Sequence, residues 1–89
     1  MNCKPFDLAV IVSVPVCQYP EAQAALNQLI GRFVRVLTVV YGSVWSIEKP
    51  ITYIDVLGAP EVVDHVEDQY LRPIRGVPVT DEITDEVTA

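Results

Sequence analysis

The chain reads as a small, mostly β domain with one short helix between its first two strands. Three observations predict this. Residues 30–42 are rich in β-branched residues from end to end and are bounded by Gly31 and Gly42. Shorter runs of the same character, residues 8–14 and 44–48, lie on either side of it. Between 18 and 30 the composition switches to alanine, glutamine and leucine, which are good helix formers. With 89 residues the chain has material for one core, and 51% hydrophobic content is well above that of a disordered chain.

Taken in order, the elements are these. Lys4-Pro5-Phe6-Asp7 is a turn that leads into the first strand, where Val10, Val12 and Val14 share a face and Pro15 ends the ladder. Pro20 and Glu21 open the helical insertion, about 19–30. Ala22, Ala25, Leu26 and Leu29 follow at the spacing of one helical face, and Gly31 stops it. Such a short helix is marginal alone and needs a sheet to pack on. Residues 32–41 form the long second strand, with Arg32 and Arg35 near its start and apolar side chains on both faces toward its end. Tyr41-Gly42-Ser43 turns the chain into 44–48, which puts Trp45 and Ile47 on the core face and Ser46 and Glu48 outward. Lys49-Pro50 breaks the run, and residues 51–57 make a further strand that stops at Gly58. Pro60 and Glu61 suit a helix start, and Val62, Val63, Val66 and Tyr70 then trace a face, so one or two helical turns are expected over 60–70. Arg72, extended by Pro73, belongs to a short last strand. The expected domain is 1–76. Residues 77–89, with their repeated Thr-Asp-Glu, read as an acidic disordered tail.

These elements fit two arrangements: a small, strongly bent antiparallel barrel, or an α+β split βαββαβ sheet of the ferredoxin-like kind with both helices on one face. Residues 3–12 (CKPFDLAVIV), 30–37 (IGRFVRVL), 44–48 (VWSIE) and 68–75 (DQYLRPIR) resemble a group of very small phage and prophage proteins of unassigned function. That resemblance implies an SH3-like barrel, the shape also seen in the KOW module, and covers about half the chain. The chain departs from the pattern at Phe6, where the relatives have a glycine, and in its longer helical insertion. The barrel is therefore the expected fold.

Charge narrows the function. Net charge is −6, and all of the excess lies in residues 61–89, where eight acids face Arg72 and Arg75. An acidic chain of this kind does not grip phosphate backbones or anionic membranes non-specifically. Cys3 and Cys17 make no disulfide framework, and the apolar stretch behind the first residues is too short to span a bilayer, so a reduced, cytoplasmic protein is expected. His65 stands among Asp64, Glu67 and Asp68, a sequence that reads as a solvated acidic face and not as a metal site. Ser13, Ser43 and Ser46 lack a nucleophile elbow, and the glycines are isolated, which leaves no phosphate-cradling loop. No catalytic residue, metal or cofactor is expected.

What remains is a non-enzymatic interaction module, of phage or prophage type by the resemblance, with a protein partner and a homodimer expected from its high apolar content. Its expected interface is the exposed side of the helix with the nearby strand ends: Gln23, Asn27, Gln28, Arg35 and Trp45. Two alternatives stand beside it. One is an acidic inhibitor of a host nucleic-acid-handling or defence protein, with carboxylates in the place of phosphates. The other is an RNA-binding module that uses Arg32, Arg35, Arg72 and Arg75 with neighbouring aromatic rings.

Overall fold

A computed structural model describes residues 1–74; the acidic segment 77–89 expected as a tail, and Arg75, lie outside the described residues. The elements run β1 (Leu8–Ile11), α1 (Pro20–Asn27), β2 (Phe33–Tyr41), β3 (Val44–Ile54), β4 (Pro60–Glu67), a 3₁₀ turn (Asp68–Tyr70) and β5 (Leu71–Pro73). They build one five-stranded antiparallel sheet in the order β4-β3-β2-β1-β5.

The expected closed SH3-like barrel does not form. Among the described residues β4 pairs with β3 and β5 with β1, and no ladder joins the two edges. The split βαββαβ sheet fails as well, because the second helix it requires is absent over 60–67. That segment is β4, with Val62 opposite Thr52 and Val63 opposite Ile51. Three β-branched valines in eight residues favour a pleated surface beside a long partner strand, and this outweighs the helix-start signal of Pro60 and Glu61. Only residues 68–70 coil.

Other boundaries move for local reasons. β3 runs straight through Lys49-Pro50 because a register shift between Ser46 and Ile51 absorbs the proline, which has no N–H to donate. It ends at Ile54, where Asp55 folds the hairpin: its Oδ1 accepts the N–H groups of Leu57 and Ala59, both at 2.9 Å. The Ala59 hydrogen bond is the main reason the Asp55 carboxyl lies below its ordinary pKa. The far half of β2, apolar on both faces, projects from the sheet. Val39, Val40 and Tyr41 are exposed, and register shifts against β3 fall between Val36 and Val39 and between Val39 and Tyr41.

The core gathers on one face of the sheet: Ala9 and Ile11 from β1, Val34 and Val36 from β2, Trp45, Ile47 and Ile51 from β3, Val66 from β4 and Leu71 from β5. Leu29, just beyond α1, joins them, and Ala25 on the same helical face is buried too, so the helix is held by the sheet as its spacing predicts.

At the junction of β4 and β5 lies a buried carboxylate, Asp68, 5% exposed. It accepts the Trp45 indole N–H at 2.8 Å, the Cys3 backbone N–H at 2.9 Å and the Asn2 backbone N–H. Burial pushes its pKa upward. The N–H groups of Asn2 and Cys3, then Trp45 and the amino terminus, outweigh that and hold it below the ordinary carboxylate value.

Two predictions follow from this arrangement. Asp68→Ala leaves the Trp45 and Cys3 N–H groups buried without their acceptor, and urea unfolding is expected to show a loss of about 3–5 kcal/mol. Because the folded pKa is depressed, the carboxylate's contribution is full above the unfolded value of about 3.9 and is lost as pH falls through the folded value. Stability curves of the wild type and Asp68→Asn, recorded side by side, should therefore converge below about pH 4. The second concerns Phe6, which is exposed yet sits at φ +70°, a left-handed conformation that costs a residue with a Cβ about 1 kcal/mol. Phe6→Gly is expected to raise the unfolding free energy by up to about that amount, since little packing is lost.

Candidate functional site

The open sheet leaves a gap between β4 and the chain that follows β1, and a cleft occupies it. Its volume is about 190 Å³. Ser13 and Val14 form one wall, Leu26 of α1 another, Tyr53 and Val63 the sheet side, and Tyr70 of the 3₁₀ turn one end. The lining is overwhelmingly apolar. A separate, shallower depression shares Leu26 and Tyr53 with it and extends along α1 past Ala22 toward Val56.

Each wall has a local cause. β1 stops at Ile11 and not at Pro15 as the sequence suggests; the Pro15 carbonyl instead accepts the Gln23 Nε2–H at 3.3 Å, while Gln23 Oε1 accepts the Cys17 N–H at 2.8 Å. The segment is thus tied to α1. The helix is tied in turn to β3 by Gln28, whose Nε2–H donates to the Ile54 carbonyl at 2.7 Å and whose Oε1 accepts the Ile54 N–H at 3.1 Å. Gln28 occupies one residue's worth of strand edge, as a neighbouring strand would.

The residues expected to form an interface do not share one surface. Gln23 and Asn27 are bonded to each other at 3.1 Å on the helix, and Gln28 is engaged with β3. Arg35 lies on the opposite face of the sheet, donating to the Phe6 carbonyl at 2.8 Å and 3.9 Å from Glu48. Trp45 is 2% exposed and belongs to the core. Of the described arginines of the RNA reading, Arg35 on β2 and Arg72 on β5 flank β1, opposite Leu8 and Val10, while Arg32, just before β2, donates to the Thr52 carbonyl at 3.1 Å. His65 Nδ1 lies 2.6 Å from Asp64, while Asp68 is turned into the core; among the described residues no three His, Cys, Asp or Glu side chains converge as metal ligands would.

The cleft itself was not legible as a site. Val14, Leu26 and Val63 read as core residues in sequence, and they line an opening because no strand covers them.

No family model, curated protein or solved structure matches the chain. The resemblance to small phage and prophage proteins is therefore not upheld: it rested on short β-rich pieces that many strands share, and the barrel it implied is absent. Among the described residues, no helix is long and apolar enough to cross a membrane.

Gln28→Ala removes both hydrogen bonds to Ile54 and is expected to cost about 1 kcal/mol, at the low end for two partly exposed bonds. Hydrogen exchange at the Ile54 amide should quicken more than exchange in β1.

Proposed function

We propose that the protein is a non-enzymatic interaction module whose cleft receives an apolar side chain from a partner polypeptide. The cleft's size carries this reading. Pockets for metabolites and cofactors run to roughly 300–1,000 Å³, whereas about 190 Å³ accommodates one or two aliphatic side chains. Its walls supply what an anchor needs, namely two tyrosine rings, Tyr53 and Tyr70, and aliphatic Leu26 and Val63. Filling it would cover apolar surface that the open sheet leaves to water, at roughly 25 cal/mol per Å².

Selection of a displayed random-peptide library on the immobilised protein tests the reading. Enriched peptides are expected to share an aliphatic or aromatic anchor. They are expected to bind Ser13→Tyr, in which a ring added at an exposed wall position fills the cleft, at least tenfold more weakly than the wild type. Peptides that bind both proteins equally, or a library that yields none, would defeat it.

A further inference from the structure

We infer that the partner segment is an extended, lysine- or arginine-bearing stretch that pairs with the open edge of β4 and lowers alternate side chains into the cleft. The inference rests on the cleft reading above and adds the partner's backbone conformation and charge. Along one side β4 pairs with β3; along the other, no strand is bonded to it among the described residues. That edge offers a row of N–H and C=O groups to an incoming strand. The cleft lies along it, because Val63, His65, Val66 and Glu67 line the cleft from β4 while residues 13–15 face them across it. A strand laid on β4 therefore sits in the mouth of the cleft, and side chains of one parity point inward.

The charge of β4 selects the occupant. Its eight residues include Glu61, Asp64 and Glu67 and neither lysine nor arginine. Among the described residues, none of these three carboxylates lies within ion-pair distance of a lysine or arginine. A second copy is a poor occupant, since pairing β4 with β4 would crowd three carboxylates from each strand onto one short ladder. Cations on the outward parity of such a segment meet Asp64, whereas Glu61, on the face of Val63, and Glu67, at the cleft, attract cations at its two ends; opposite charges across a ladder are favourable.

Titration of the full chain with synthetic eight-residue peptides tests this. A peptide alternating valine and lysine is expected to bind, to weaken as salt is raised, and to slow hydrogen exchange at the amides of residues 61–67. Its valine–glutamate counterpart should bind at least tenfold more weakly. Combined Glu61→Gln, Asp64→Asn and Glu67→Gln should cost the lysine peptide about tenfold, while the circular dichroism spectrum stays that of the wild type. Methylating alternate peptide nitrogens on the parity that faces β4 should abolish binding, and methylating the other parity should not. If binding is lost in Ser13→Tyr but is indifferent to both methylation patterns and to the carboxylates, the cleft reading stands and strand pairing is overturned. Binding indifferent to Ser13→Tyr overturns the cleft reading itself, and failure of the lysine peptide to bind overturns the inference.

Discussion

The fold turns on how the chain passes from β4 to β5. These are opposite edges of the sheet, separated by four strand spacings, so in a flat sheet they would lie about 19 Å apart. The four Cα steps from Glu67 to Leu71 reach at most ~15 Å, and less when coiled as a 3₁₀ turn. The sheet must therefore curl until its edges approach at that corner. Asp68 secures the corner: it takes the Trp45 N–H from the start of β3 and backbone N–H groups from residues 2 and 3, and its own N–H donates to the Ser43 carbonyl at 2.8 Å. One residue thus joins the beginning of the chain, the β2–β3 turn and the crossover.

Curling without closing leaves both a cleft and an unpaired edge among the described residues. Where β4 and the continuation of β1 diverge, apolar side chains that would face each other in a closed barrel line an opening instead. The helix narrows this opening without covering it, because Gln28 docks at the far end of β3, beside Ile54. The same divergence leaves β4's outer edge unbonded among the described residues. Acidic side chains along an edge strand are a common guard against indiscriminate pairing, and on β4 they are what the proposed cationic segment would meet. The contacts that bend the sheet thus also determine where it stays open.

Much of this was legible in the chain before folding. Trp45 and Ile47 on one face of β3, the Ala25–Leu29 side of α1 and the hairpin at Gly42 follow from period-two and period-3.6 patterning, which is local. The same patterning misled at 60–67. There Val62, Val63 and Val66 fit a helical face as well as a strand, and only the ladder to β3 decided between them. Asp68 looked like one more surface acid among eight in the last third of the chain; its burial depends on donors 65 and 66 residues away.

The sequence by itself determined the mostly β character, the single helix between the first two strands and the uneven acidity. Each of these depends on neighbouring residues or on a count. The tertiary structure alone decided that the sheet stays open, that Asp68 is a core residue and that Leu26, Tyr53 and Val63 border a cleft. Edge pairing and burial are set by residues far apart in the chain, and no local pattern encodes whether a strand will find a second neighbour.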